Sequence, residues 1–250
     1  MKYGLIAAGQ GSRLVADGIT TPKPLIQVGG ETLLGRLLRI FCENGAESIS
    51  VIINEEMREV YDYLMKIKLP VQLNLVVKST PDSFCSFCEL MPFLQENKVD
   101  AGVEYGKDGE DSGGKFCLTT IDPIFHEDEF ERYIRQFKED DSIDALMGVT
   151  DYIDDEKPLY VKTDPETLQI TGYANVAYEG CRFISAGIYC MNQQALALLP
   201  EAQEAGVKRM RGFQQYLVDA SLQVQAYPFG KVIDIDHATD VIAAERMLSK

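Results

Sequence analysis

Residues Tyr3 to Ala7 form a short, unbroken apolar run that passes straight into Ala7-Ala8-Gly9-Gln10-Gly11-Ser12-Arg13-Leu14. An apolar run without alternation fits a strand covered on both faces, and such strands belong to parallel sheets with helices on either side. The rest of the first half keeps that pattern. Thr32 to Asn44 places Leu33, Leu34, Leu37, Leu38 and Phe41 on one helical face, and Gly45 ends the helix. Ser48 to Ile53 reads as a strand, Glu55 to Met65 as a helix and Val71 to Val77 as a strand. Ser83 to Gln95 reads as a helix with Ser83 as its N-cap. After a polar, glycine-rich interruption from Asp100 to Gly114, Phe116 to Thr120 is a strand ending on Ile121-Asp122. A helix from Glu127 to Lys138 and a strand from Ala145 to Val149 come next. This alternation predicts an α/β fold of three layers, α/β/α, on a doubly wound, mostly parallel sheet.

The second half changes character. Tyr160 to Thr163 and Leu168 to Tyr173 flank Asp164-Pro165-Glu166-Thr167, a turn sequence, so the stretch reads as a small β-hairpin. Arg182 to Cys190 is a further strand, Gln193 to Leu199 and Gly212 to Ala220 are helical, and Val224 to Tyr227 is extended. The chain closes on Val232-Ile233-Asp234-Ile235-Asp236-His237 and a last helix from about Thr239. No internal repeat and no linker rich in Pro, Gly or Ser divides it, so residues 1–250 read as a single domain.

Charge narrows the partners. Against 24 Lys and Arg stand 39 Asp and Glu, a formal net charge of -15, and such a surface repels nucleic acid and anionic membranes. A polyanionic small ligand would need a local basic patch and a divalent cation. No apolar stretch approaches the ~20 residues that cross a bilayer. The six cysteines lie scattered through apolar segments, and no signal peptide precedes the first strand, so a reduced, cytoplasmic protein is expected. Cys85 and Cys88 form a C-x-x-C without a second pair, and His126 and His237 are the only histidines. Buried, inert thiols fit better than a zinc or redox site.

In open parallel sheets ligands gather at the carboxyl ends of the strands. The Gly-rich turn ends the first strand there, and its successive N–H groups suit phosphate oxygens. Arg13, and Lys23 within Pro22-Lys23-Pro24-Leu25, add positive charge. Asp122 ends a strand in mid-chain, while Asp234 and Asp236 share one face of an extended segment. These three carboxylates are candidate ligands for Mg2+. A turn role for Asp122 and an N-cap role for Asp236 compete with that reading.

Taken together, these residues resemble the signature of the nucleotidyltransferases that make nucleotide-activated sugars or alcohols, roughly A-A-G-x-G-[ST]-R-[LM] followed by P-K-[PA]-L. "LTTID" at 118–122, "FISAGIY" at 183–189 and "VIDIDHATDVIAAERML" at 232–248 resemble later elements of the same family. The resemblance implies a nucleotide-diphospho-sugar transferase-like fold, its N-terminal half binding the NTP and its C-terminal half binding the acceptor. It implies transfer of an NMP group from the NTP to a phosphorylated acceptor, with release of pyrophosphate and dependence on Mg2+. Gly9, Gly11 and Ser12 would cradle the triphosphate, Arg13 would hold its outer phosphates, and Lys23 would neutralise the leaving pyrophosphate. Ala7 and Ala8 would lie against the nucleoside, and Thr80 near the base. Arg13, Lys23 and Asp122 would carry the chemistry, with Asp122, Asp234 and Asp236 on the metal. Arg13 and Lys23 should both be solvent-accessible before nucleotide arrives. A homo-oligomer is left open.

The chain departs from the sugar-specific pattern where "E-K-P" usually precedes the acceptor segment, because residues 170–180 carry no lysine. Lys162 or Lys157 is expected to replace it, Lys162 being the first choice, in an acceptor pocket between the Gly172 turn and Ala186-Gly187. A sugar 1-phosphate is the first expectation for the acceptor. A cytidylyltransferase acting on an alcohol phosphate such as phosphocholine is the alternative, and a non-catalytic nucleotide-binding regulatory module is a third reading. A dinucleotide-binding oxidoreductase would need a glycine where Leu14 stands, and no G-x-x-x-x-G-K-[ST] marks a P-loop.

Overall fold

The computed structural model describes residues 1–96, 114–153 and 156–249. The polar interruption therefore lies, apart from Gly114, outside the described residues. The first half runs through β1 (Lys2–Ile6), α1 (Ser12–Ala16), the hairpin β2 (Gln27–Val28) and β3 (Glu31–Thr32), α2 (Leu33–Glu43), β4 (Ser48–Ile53), α3 (Arg58–Leu64), β5 (Gln72–Val77) and α4 (Ser83–Leu94). After the gap come β6 (Phe116–Thr120), β7 (Pro123–Ile124), α5 (Glu127–Glu139), β8 (Ala145–Thr150), β9 (Tyr160–Thr163), β10 (Ile170–Ala174) and β11 (Phe183–Met191). The chain ends with α6 (Gln193–Ala197), α7 (Leu199–Glu204), α8 (Arg209–Asp219), β12 (Val224–Phe229), β13 (Ile233–Asp234) and α9 (Ala238–Leu248).

The main sheet runs β5-β4-β1-β6-β11-β8-β12, and the β9-β10 hairpin joins the start of β11. Strands β5, β4, β1, β6, β8, β12 and β9 share one direction, and β11 and β10 oppose it. The expected mostly parallel, three-layer α/β fold is therefore observed. Alternation along each strand sorts side chains onto two cores. Tyr3 and Leu5 of β1 and Cys117 of β6 pack with α2, α3, α5 and α9, while Ile6, Phe116 and Leu118 pack with α4 and α6–α8. Burial on both faces is why these strands read as unbroken apolar runs. Gly4 is part of that packing: a Cβ there would lie 2.8 Å from Leu118 Cδ1, beneath Leu90 and Leu94 of α4.

The reversal of β11 shapes the ligand side of the sheet. Because Ile188 pairs with Thr119 and Met191 with Phe116, the beginning of β11 lies at the carboxyl end of β6. Its ladder with β8 shifts register between Ser185 and Tyr189. Just past that shift the ladder takes in a side chain: Tyr133 of α5 donates its hydroxyl to Leu146 O at 2.6 Å and accepts from Cys190 N at 2.7 Å.

Several boundaries differ from expectation for local reasons. The N-cap of α4 is Asp82, whose carboxylate accepts from Phe84 N and Cys85 N; Ser83 instead accepts from Met210 N, tying α4 to α8. The third helix begins at Arg58 because Asn54 holds a turn, accepting from Glu56 N through its side chain and from Met57 N through its carbonyl. The last helix is capped by His237 with Asp240 in a capping box, so Asp236 is not its N-cap. The helix α7, with Pro200 in its first turn, was not expected from the sequence.

Candidate active site

The carboxyl ends of β1, β4 and β6 open onto a polar cavity of about 630 Å³. Ala8, Gly9, Gly11, Ser12, Arg13, Lys23, Thr80 and Asp122 all line it. Gly11 sits in the left-handed region at φ 62°, as the N-cap of α1, and a Cβ would lie 3.2 Å from Lys23 Cβ. A glycine is what lets the turn fold down over the lysine. Ala7 stops short of the cavity: it is fully buried, and its N–H donates to Ile52 O. Thr80 shares a 2.6 Å hydrogen bond with Ser86, and both hydroxyls face the cavity with Asn54.

The two prolines explain how Lys23 is held. Pro22 is extended and Pro24 lies in a single 3-10 turn, Lys23–Leu25, closed by Leu25 N donating to Pro22 O. The side chain is thereby directed inward. Only 6% exposed, Lys23 Nζ donates to Asp122 Oδ2 at 2.8 Å and to Asp236 Oδ1 at 2.7 Å, and Arg13 Nη1 meets Asp236 Oδ2 at 2.5 Å. The expectation that both cations would be accessible holds for Arg13 and fails for Lys23, whose burial is tolerated because two carboxylates pair with it and offset the desolvation cost. Burial alone would lower the Lys23 ammonium, but Asp122 and Asp236 outweigh it and hold it above the ordinary lysine value. Burial likewise pushes Asp122 up, and Lys23 reverses this, leaving the carboxyl below its usual range.

Asp122 is also a wall of a second cavity, of about 240 Å³, lined by Asp234, Ser185, Gly187, Tyr189, Arg209, Arg211 and Gln214. The β7–β13 ladder brings Asp234 there, opposite Pro123, with Ile235 N donating to Asp122 O. Gly187, at φ 71°, approaches Thr120 so closely that a Cβ would lie 2.6 Å from Thr120 Oγ1. Ala186 faces a smaller, adjoining cavity of about 40 Å³ with Arg13, Asp236 and His237. The expected acceptor cation is elsewhere. Lys162 pairs with Gly172 across the β9–β10 ladder and lies over the Tyr178 ring at 5.6 Å, and neither Lys162 nor Gly172 lines these cavities. The hairpin is an edge feature, so its exposed lysine follows the sheet margin.

The cations that do line this cavity, Arg209 and Arg211, were missed. Their signal was the cluster Lys208-Arg209-Met210-Arg211 at the start of an amphipathic helix. Gln214 was missed as well: it is 1% exposed, and its Oε1 accepts from Ser185 Oγ at 3.1 Å. Its amide nitrogen has no hydrogen-bond partner among the described residues.

As for a metal, the three expected carboxylates are not grouped as one set. Asp236 is committed to Arg13 and Lys23, and among the described residues no three His, Cys, Asp or Glu side chains are placed to hold an ion together. Asp122, itself paired with Lys23, and Asp234 share one cavity wall. Two carboxylates suit Mg2+, which completes its shell with water and substrate phosphates. All six cysteines are free, and burial raises the Cys85 thiol and pushes that of Cys88 up to about 11, opposite to a reactive dithiol.

This architecture, a Gly-rich turn over a buried lysine at the carboxyl edge of an α/β sheet, coincides with sequence kinship. The chain belongs to the nucleotidyl transferase family, whose model matches residues 4–234. A bifunctional IPC transferase and DIPP synthase of Thermococcus kodakarensis is 26% identical over 131 residues, which are 52% of this chain and 26% of that protein; the match thus spans about a quarter of the relative's length. Among solved structures, an inositol-1-phosphate CTP transferase from T. maritima superposes with a TM-score of 0.74 at 20% identity, covering 100% of this chain and 96% of that one. A putative glucose-1-phosphate thymidylyltransferase from Bacillus anthracis, in complex with a sucrose, gives 0.79 at 16% identity, covering 99% and 94%. At these identities the structural likenesses establish the fold. No helix among the described residues is long and apolar enough to cross a membrane.

Proposed function

We propose that this transferase moves an NMP group from an NTP to the phosphate of a small, hydroxylated acceptor. The acceptor's phosphate oxygen attacks the α-phosphorus, the bond from that phosphorus to the pyrophosphate oxygen breaks, and pyrophosphate leaves with the electron pair. No protein nucleophile is needed, so alignment and charge neutralisation carry the rate. The observation that bears most weight is that Asp122 forms a wall of both cavities while accepting from Lys23. One side suits a triphosphate under the N–H groups of Gly9 to Ser12, and the other suits the incoming phosphate.

Within this reading, Arg13 exchanges Asp236 for the outer phosphates, and Lys23 stands beside the leaving pyrophosphate. Thr80, Ser86 and Asn54 offer the base its polar contacts. Asp122 and Asp234 would hold Mg2+, which when bound supplies positive charge to the phosphates. The acceptor-side wall favours a sugar or polyol phosphate over phosphocholine. It carries two arginines, the buried Gln214 amide and one aromatic ring, Tyr189, whereas a quaternary ammonium is held by several aromatic faces. Free thiols throughout suit a cytoplasmic site of action, which is part of the same proposal.

The test is pyrophosphate release, measured for each NTP against glucose 1-phosphate, myo-inositol 1-phosphate and phosphocholine, with Mg2+ and with EDTA. Release with one NTP and one polyol phosphate, abolished by EDTA, is expected. NTP binding without turnover on a broad panel would favour the regulatory-module reading, and turnover with phosphocholine alone would overturn the acceptor class.

A further inference from the structure

With Lys162 outside the cavity, the proposed function leaves open which cation receives the acceptor phosphate. Arg211 is already engaged: its guanidinium donates to Asn175 Oδ1 at 2.8 Å and to Lys157 O at 3.2 Å, fastening α8 to the hairpin and to the segment before it. Arg209 lines the same cavity and is exposed, and its side chain has no hydrogen bond or ion pair among the described residues. Its backbone is unusual. At φ 59° it occupies the left-handed region, where a side chain is strained and glycine is not. Its neighbour Met210 is buried and pinned through its N–H to Ser83 Oγ at 3.0 Å, so the geometry at Arg209 is imposed by the packing next to it. At two other left-handed positions around the site, Gly11 and Gly187, glycine relieves the strain. Here an arginine is kept despite it, and strain retained at a site wall points to use of the side chain.

We propose that Arg209 is the acceptor-phosphate-binding residue of this chain, set into the cavity by its strained backbone and left unpaired so that a phosphomonoester dianion can take it bidentately. This inference rests on the reading of the second cavity as the acceptor site. Arg211 serves as the positioning residue beside it.

The experiment is a calorimetric titration of glucose 1-phosphate and myo-inositol 1-phosphate into wild type, Arg209→Ala, Arg209→Lys and Arg209→Gly, with the melting temperature of each and the affinity for NTP as controls. Arg209→Ala should weaken phosphomonoester binding at least tenfold and leave NTP affinity within twofold. Arg209→Lys should recover part of the loss. Arg209→Gly should bind as weakly as Arg209→Ala yet melt at a higher temperature, because the glycine relieves the strain; a purely structural arginine would give the opposite shift. Equal binding by wild type and Arg209→Ala, no binding by wild type, or a lower melting temperature for Arg209→Gly overturns the proposal. Pyrophosphate release separates the two levels. Arg209-dependent binding without release counts against the transfer reading alone, and release with an acceptor KM unaffected by Arg209→Ala counts against Arg209 alone.

Discussion

The two cavities that meet at Asp122 are built in opposite ways. The larger draws its key groups from one stretch, Ala8 to Arg13, and from Lys23 soon after it, with Asp122 and Asp236 closing the set. The smaller is assembled from Ser83 of α4, the end of β6, Leu159, the start of β11, the beginning of α8 and the β13 segment, no two of them adjacent in sequence. Where a single turn and the lysine beneath it supply one wall of a cavity, that wall is tightly constrained, since glycine, lysine and proline must all stand where they do. In a cavity formed by six separate segments, each wall can change on its own.

The sharpest way to break this contrast is at the shared wall. Asp122→Asn should reduce turnover by at least ~100-fold, the scale expected when charge stabilisation of phosphoryl-type transfer is lost. Steady-state pyrophosphate release measures it, and an unchanged rate would remove Asp122 from the chemistry.

Gly11→Val should come next, acting on the larger cavity alone. Valine would have to hold φ 62° with its Cβ against Lys23, so NTP affinity should fall more than ~30-fold while phosphomonoester binding stays within twofold. Calorimetry with each ligand separately decides this.

Lys23→Met should act on stability as well as on rate. It leaves Asp122 and Asp236 without their shared cation and should lower stability by about 2 kcal/mol, less than for a fully buried pair because Asp236 is 34% exposed. The pH dependence has a definite sign. Lys23, raised on folding, contributes in full below the ordinary lysine value of 10.5 and loses its contribution as pH climbs from there. Asp122, lowered on folding, contributes above the ordinary carboxylate value of 3.8 and loses its contribution as pH falls below it. Melting scans of wild type should show both limbs, and Lys23→Met should lack the alkaline loss due to this lysine.

The smallest effect belongs to Lys162→Ala, which should change the acceptor KM by less than ~2-fold, as for an exposed lysine outside the site. A tenfold rise would return the acceptor phosphate to the hairpin.

Legibility in the sequence followed the same division. The strands of the first half were readable because burial on both faces leaves unbroken apolar runs, and the Gly-rich turn because its residue types have few other uses together. The two-residue strands β7 and β13 were not readable, since a ladder of two pairs leaves no periodicity. Arg209 and Arg211 lie ahead of the helix that the sequence marks from Gly212, and only the tertiary placement of α8 against α4 and β10 gives them a cavity to face. Asp236 was found but its partners were not: nothing in a linear sequence says that a carboxylate near the C-terminus will sit between Arg13 and Lys23.

The hydroxyl of Tyr133 has a mechanical consequence for this design. Where β8 and β11 would otherwise bond directly, a phenol reaching up from α5 stands between Leu146 O and Cys190 N, so the gap between the two backbones is set by the length of a side chain. Shortening it to phenylalanine would leave two buried backbone groups facing each other across that gap, each bearing the full desolvation penalty. The strands could recover only by closing up. The register shift between Ser185 and Tyr189, residues that line the second cavity with Gly187, would be pulled straight with them. A helix in the opposite layer, touching no ligand, thus acts as the spacer that keeps one wall of the site in shape.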